Sequence, residues 1–400
     1  MVLHGLAVFN IQHRKRRIEL SMHALILTDG YPNAYVHAQG IFVRDQAIAL
    51  AQSGMKVGVI ACIPISVRDV LKRGWGELRK RSHSHEGLQE VTRCFLQVPK
   101  WNMYPVYRIH KLGMPLIEEY IARHGKPDVL HVHGFHSGRL AIEARNRWQV
   151  PIVVTEHNSR FLSGSIDQNR FRFAGDFFKA ADARIAVSRP FQERLEKLFD
   201  ARFDVVPNAV DVELFKLGKR EKEFLFFSAA RFDENKNQQL QIESFARIAQ
   251  QMPDARLWLA GEGERKLECL RLIATLGLNE RVRVTGFLSR HEMIEAMQRS
   301  SVYLITSVRE TFGVVAIEAM SCGMEVISTP CGGPEETLAN RGKIAVSTSE
   351  DFSAAMLEAY NRRGENRSHD LHREMVAHYS YEALAAALGQ VYSRVIKTHS

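Results

Sequence analysis

Long apolar runs are missing from this 400-residue chain: no window reaches 18 consecutive apolar residues, so no membrane-spanning helix is expected. Cysteine is scarce. The five (62, 94, 269, 322 and 331) are odd in number, widely spaced and free of any C-x-x-C pair. Neither a disulfide framework nor a zinc site is indicated, and a reducing cytosol fits best. The first residues lack the order of a signal peptide, because their short apolar run precedes the basic cluster His13-Arg14-Lys15-Arg16-Arg17. Helix-turn-helix, zinc-finger and RNA-binding signatures are absent as well, which argues against a nucleic-acid partner.

What is present is an ordinary globular composition, 45% apolar and 25% charged, with enough length for two domains. Charge is unevenly placed. Residues 1–200 hold 29 Lys and Arg against 18 Asp and Glu, whereas the remainder holds 25 against 27. A basic half beside a near-neutral half points to an anionic surface, and an anionic membrane fits better than nucleic acid. Residues 66–82 carry Val67, Val70, Leu71, Trp75 and Leu78 among basic residues, a composition that can lie in a membrane interface. Gly74 and Gly76 oppose one continuous helix there, and a solvated excursion is the alternative.

The most informative stretch is 301–338. Val302 to Ile305 reads as a buried strand, followed by a loop with Glu310 and a helix carrying Val315, Ala316, Ala319 and Met320 on one side. Gly323 closes that helix. Val326-Ile327 begins another strand, and Cys331-Gly332-Gly333-Pro334 turns into a further helix. Strand, loop, helix, strand, loop, helix is the pattern of a parallel sheet, whose ligands bind at strand carboxyl ends near helix N-termini. Glu310 at the helix mouth and Glu318 about two turns along are spaced to grip different hydroxyls of one extended ligand. The same positions also fit a bland reading, an acid complementing the helix dipole and an ordinary exposed helix residue.

The same alternation runs through the chain. His23–Thr28 is a strand, and the loop through Gly40 opens a helix over 41–53; Gly40 would let backbone approach a phosphate. Val57 to Ala61 is the next strand. Val129 to His133 ends in imidazoles, with His131 and His133 on one face of a period-2 strand and His136 beyond. Three histidines raise the thought of a metal, but no acidic partner lies nearby, so no metal is expected. Thr155-Glu156-His157 repeats the theme after Ile152-Val153-Val154, and Ala183 to Val187 is a further strand. Histidines satisfied in a crowded interior are the alternative throughout. In the second half, Phe224 to Ala229 is followed by Arg231 and Lys236, a donor fork and a point charge suited to a diphosphate. Leu257 to Ala260 leads into Gly261-Glu262-Gly263, too short for a dinucleotide fingerprint, and Val282 to Thr285 is the next strand. Tyr381, Leu384, Ala385, Leu388, Val391, Tyr392 and Val395 recur at helical spacing.

Residues 310–318 resemble the E-x7-E signature of retaining glycosyltransferases of family four, with Phe312-Gly313 and Glu318-Ala319-Met320 in the expected places. Cys331-Gly332-Gly333-Pro334-Glu335 matches the glycine turn that follows, Arg231 to Lys236 resembles the Arg-x4-Lys phosphate clamp, and Val205 to Asp211 looks like the hinge between lobes. The loop from Asp29 through Val43 is similar to that of exopolysaccharide-type members. Glu325 departs from the pattern, where proline is usual before the strand.

The resemblance implies an α/β GT-B fold, two facing Rossmann-like doubly wound domains with the last helix crossing back onto the first lobe. The expected divisions are an extension over 1–21, with the question of whether Met1 is the functional start left open, an acceptor domain over 22–203, a nucleotide-sugar domain over 204–380, and the crossing helix over 381–400. It also implies a metal-independent, retaining glycosyltransferase without cofactor, working on a glycan or lipid-linked acceptor in bacterial polysaccharide or lipopolysaccharide synthesis. Arg231 and Lys236 would neutralise the departing diphosphate; Glu310 would contact sugar hydroxyls and Glu318 the ribose; His133 would sit near the anomeric carbon. Gly40, Gly261, Phe312 and Gly313 join the donor set, and His131 and His157 a sugar or acceptor site. Two rivals are a nucleotide-sugar epimerase of the same fold, acting without an acceptor, and a non-catalytic nucleotide-sugar-binding protein.

Overall fold

His23–Thr28 (β1) is buried at every position, as a strand flanked on both sides and covered on both faces must be. In the computed structural model, which describes residues 22–399 apart from 37–38, 86, 99–100, 340 and 366, β1 lies near the middle of an eight-stranded sheet. The expected extension over 1–21 lies outside the described residues. The other strands are β2 (Lys56–Ile65), β3 (Lys80–His85), β4 (Leu88–Leu96), β5 (Val129–His133), β6 (Ile152–Glu156), β7 (Ala183–Ala186) and β8 (Asp204–Val205). Their order is β3-β4-β2-β1-β5-β6-β7-β8, parallel except for the antiparallel edge pair β3–β4.

The second sheet has six strands, all parallel: β9 (Phe224–Ala229), β10 (Ala255–Ala260), β11 (Val282–Thr285), β12 (Val302–Ile305), β13 (Glu325–Ser328) and β14 (Lys343–Ile344). Their order is β11-β10-β9-β12-β13-β14. Each sheet therefore reverses its winding once, between β1 and β5 in the first and between β9 and β12 in the second. Crevices for ligands open at the carboxyl ends of such pairs.

The stretch 66–82 is neither one helix nor a bare excursion. A helix over Val67–Arg73 stops at Gly74, whose φ of 87° suits glycine. One 3-10 turn over Trp75–Leu78 follows, and then β3. Lys-Arg-Ser-His-Ser-His has no apolar alternation and is exposed throughout, a charged edge strand that resists further pairing.

The helix Tyr381–His399 does cross to the first lobe. Leu384, Leu388, Tyr392 and Val395 enter the same apolar cluster as Ala24, Ile26, Ala47 and Leu50. Each fully buried leucine there contributes roughly 1.5–3 kcal/mol, enough to fix the helix in place. Further ties join the lobes: Ser188 Oγ donates to the Thr311 carbonyl at 2.6 Å, the Arg189 N–H to Glu336 Oε2 at 2.6 Å, and Arg290 Nη2 to Asp45 Oδ2 at 2.9 Å.

Candidate active site

In the second lobe the loops after β9 and β12 are stitched together. The Val308 N–H donates to the Asn235 carbonyl at 2.7 Å, Asn235 Nδ2 to the Arg309 carbonyl at 3.2 Å, and Thr306 Oγ1 to the Lys236 carbonyl at 2.8 Å. This brings Lys236 onto Glu310, where Nζ pairs with Oε1 and Ser307 Oγ donates to the same oxygen at 2.7 Å. Arg231, at the start of the first loop, is largely exposed and rests on Glu264 Oε2 at 2.9 Å; that bond raises its already high pKa. Both basic side chains of the expected clamp are thus held by glutamates.

The glycines explain how the loops come so close. Gly261 has a φ of 140°, and a Cβ there would lie 2.0 Å from the Ala230 carbonyl oxygen. Behind Glu310, a Cβ on Gly333 would lie 2.2 Å from Phe312 Cα, so the Gly332-Gly333 turn can only pack as glycine. Gly313, at φ 79°, caps the start of the helix Val314–Ser321. The Phe312 ring is turned into the core against Tyr379, at 6.0 Å between centroids.

Glu318 is half-buried on that helix, and its carboxyl group has no hydrogen-bond partner among the described residues. Desolvation raises its pKa to about 7, against the pull of Arg290 and with a further push from Asp45. Glu325, the departure from the family pattern, stands at the amino end of β13. It pairs with Arg362 at 3.1 Å, away from the carboxyl ends.

The first-lobe crevice is built differently. His133 Nδ1 and His157 Nε2 share a hydrogen bond at 3.0 Å, and their rings stack at 5.2 Å and 14°. Phe42, two residues past Gly40, covers His157 at 4.5 Å. Burial holds the His133 pKa well below its ordinary value and that of His157 down at about 3, so both rings are neutral near pH 7. His133 Nε2 is buried without a partner. Gly40 itself, at φ 61°, is pressed on the Gly30 carbonyl, where a Cβ would lie 2.1 Å from the oxygen.

His131 does not join this group. Its ring nitrogens bond Tyr392 OH at 2.6 Å and Thr155 Oγ1 at 2.8 Å, and the residue is fully buried. It ties the crossing helix to the sheet, with both ring nitrogens engaged inside the protein. His136, in the turn after β5, pairs with Asp29 at 2.9 Å, an acidic partner not apparent from the sequence, so the three histidines serve different partners. No group of three or more His, Cys, Asp and Glu suited to a metal occurs among the described residues.

Sequence reasoning missed Glu156. Its buried carboxylate accepts from the backbone N–H groups of Phe135 (3.2 Å), His157 (2.8 Å) and Asn158 (2.8 Å), joining the loops after β5 and β6. Burial pushes its pKa to about 7 despite those bonds. An acid closing an otherwise buried strand was the available signal. The Asp29–His136 pair and the Asp45–Arg290 pair bridge distant segments and left none.

With this geometry in view, comparison with known proteins is decisive. Residues 39–214 match the family model "Glycosyltransferase Family 4" and residues 210–382 match "Glycosyl transferases group 1". The chain belongs to the family-four glycosyltransferases. It is similar to a glycogen synthase of Mycobacterium tuberculosis, 22% identical over 93% of this chain and 94% of that one. Among solved structures, sucrose-phosphate synthase from Thermosynechococcus elongatus superimposes with a TM-score of 0.74 at 20% identity, covering 94% of this chain and all of that one. The Anabaena protein HepE, in complex with UDP-glucose, gives 0.69 at 18% identity, covering 93% and 100%. The fold of this glycosyltransferase is GT-B: two parallel α/β sheets meeting at their carboxyl ends.

Proposed function

We propose that this glycosyltransferase moves a sugar, with retention of configuration, from a nucleotide-sugar donor held by the second lobe to a glycan or lipid-linked acceptor on the first. One observation carries the reading: Arg231, Lys236, Glu310 and Glu318 all belong to the loops and helix at the β9/β12 reversal, where a parallel sheet takes its ligand. A donor diphosphate takes Arg231 from Glu264 and Lys236 from Glu310. The freed Glu310 carboxylate then accepts from sugar hydroxyls, and Glu318 accepts from the ribose. Both cations act where negative charge builds on the departing diphosphate, the largest electrostatic demand of the reaction. They supply positive charge that a divalent cation would otherwise bring, so no metal is required.

His133 stands at the carboxyl end of β5, where it is 2% exposed and its buried Nε2 has no partner, a nitrogen that a sugar hydroxyl would satisfy. A neutral imidazole there bonds a sugar hydroxyl without repelling the positive charge that develops at the anomeric carbon. UDP-glucose bound to the related HepE fold supports a nucleotide sugar as donor. Contact with an anionic membrane on the cytoplasmic face is supported by Leu71 and Trp75, which are 73% and 62% exposed beside Arg68 and Lys72. No helix among the described residues is long and apolar enough to cross a membrane. A role in bacterial polysaccharide or lipopolysaccharide assembly fits that placement.

The test needs no acceptor. Slow hydrolysis of α-linked UDP-, GDP- and ADP-sugars is followed by proton NMR, reading the anomer first released. Release of the α-anomer is expected; initial release of the β-anomer overturns retention, and release of an epimer favours the epimerase.

A further inference from the structure

His133 ends β5, beside the point where the first sheet reverses its winding, and His157 stands one residue beyond β6. The two strands are paired with His133 opposite Thr155, which leaves the rings within reach of each other. The loops that carry them are fixed at the backbone. Glu156 accepts from the N–H groups of Phe135, two residues past His133, and of His157 and Asn158. Phe42 covers the His157 ring. With nitrogens at 3.0 Å, centroids at 5.2 Å and ring planes only 14° apart, the bond between His133 Nδ1 and His157 Nε2 runs close to both ring planes, along the lone pair of the accepting nitrogen.

Burial keeps both rings neutral near pH 7, so each carries one N–H and one lone pair. One ring donates and the other accepts. That choice fixes the far side of His133: donation from Nδ1 leaves Nε2 a lone pair, and acceptance at Nδ1 leaves it an N–H. Nε2 is buried without a partner among the described residues. A buried N–H lacking an acceptor is rarer in folded proteins than an under-satisfied acceptor. An N–H dipole would also oppose the positive charge that the reading above places at the anomeric carbon. We propose that His157 is a positioning residue: its Nε2 accepts from the Nδ1–H of His133 and so keeps the Nε2 lone pair of His133 available to a hydroxyl of the donor sugar. This role rests on the reading in which His133 meets the sugar; the tautomer is measurable without any substrate.

The full chain carrying isotope-labelled histidine is read by two-bond proton–nitrogen correlation spectra, with the His133 signals assigned by their loss in His133→Ala. An Nδ1–H tautomer at His133 is expected in the wild type and in His157→Gln, whose amide oxygen can accept in place of Nε2. His157→Leu removes the acceptor and should shift His133 toward Nε2–H. Release of nucleoside diphosphate from UDP-, GDP- and ADP-sugars is then compared. In His157→Leu kcat should fall at least about tenfold with KM for the donor within about threefold of wild type, and His157→Gln should restore kcat to within a few-fold. An Nε2–H tautomer in the wild type, or an unchanged tautomer in His157→Leu, overturns the assignment, whether or not any donor is turned over. Near-normal kcat in His157→Leu beside a slow His133→Ala overturns the positioning role alone, whereas near-normal kcat in His133→Ala overturns the sugar contact on which it depends.

Discussion

The two crevices of this enzyme face each other yet are made of opposite materials. The second-lobe crevice is charged and partly exposed, with Arg231 and Lys236 held by the glutamates Glu264 and Glu310. The first-lobe crevice is buried and largely neutral, with His133, His157 and His131 locked by hydrogen bonds to residues from other segments. The difference teaches how the labour is divided. Exchangeable ion pairs suit a ligand that arrives with two or more charges, whereas desolvated imidazoles suit an uncharged sugar whose reacting carbon becomes positive.

The largest effect that would break this contrast lies in the charged lobe. Lys236→Ala removes the cation proposed to meet the diphosphate and is expected to lower turnover by roughly 10²–10³-fold, as loss of one transition-state donor typically does. Release of nucleoside diphosphate measures it, and near-normal turnover would sink the clamp. Next comes Gly333→Ala, which forces a Cβ against Phe312 Cα and should destabilise the fold by roughly 1–3 kcal/mol, read from urea unfolding. An unchanged midpoint would mean that the turn behind Glu310 yields easily.

Glu318 provides a pH test. Its pKa of about 7 lies above the unfolded value of 4.5, so the folded state holds the extra proton between these limits. Its contribution to stability is therefore present below 4.5 and lost as pH rises through about 7. If Glu318 binds the ribose as proposed, it does so as the carboxylate, so nucleotide affinity should fall as pH drops below about 7, by at most about tenfold per unit. Glu318→Gln should bind more weakly and with a flatter profile; an unaltered profile would place the titration elsewhere. The smallest effect on activity is expected for Tyr392→Phe. It frees one buried nitrogen of His131 and should cost about 1–3 kcal/mol of stability while leaving turnover within a few-fold. A large loss of turnover with unchanged stability would return His131 to the reacting site.

The charged crevice was also the legible one. Arg231 and Lys236 lie in the loop after β9, Glu310 lies in the loop after β12 and Glu318 on the helix that follows, and Phe224–Ala229, Val282–Thr285 and Val302–Ile305 end where the apolar runs end. The contacts that tie the first lobe to later segments of the chain join residues far apart in sequence. Asp45 meets Arg290 across 245 positions, and His131 meets Tyr392 across 261. β3 carried no apolar alternation to find, although its neighbours depend on it. β2 ran longer than expected, to Ile65, because beyond Ala61 it pairs with β4 while β1 has ended, which leaves room for Pro64 in the strand. Phe312 and His131 were legible as positions but not as orientations, since each ring packs on residues distant in sequence, Tyr379 for Phe312 and Tyr392 for His131.

The central claim is that the second lobe holds a nucleotide sugar. The most direct measurement is a thermal-shift panel of UDP-, GDP- and ADP-sugars on wild type and Glu318→Ala. At 100 times the dissociation constant, binding should add about 2.7 kcal/mol of stability and raise the melting temperature visibly. One nucleotide series shifting wild type but not the variant is the predicted result. Equal shifts in both proteins would contradict the ribose contact, and no shift with any nucleotide sugar would contradict the donor site itself.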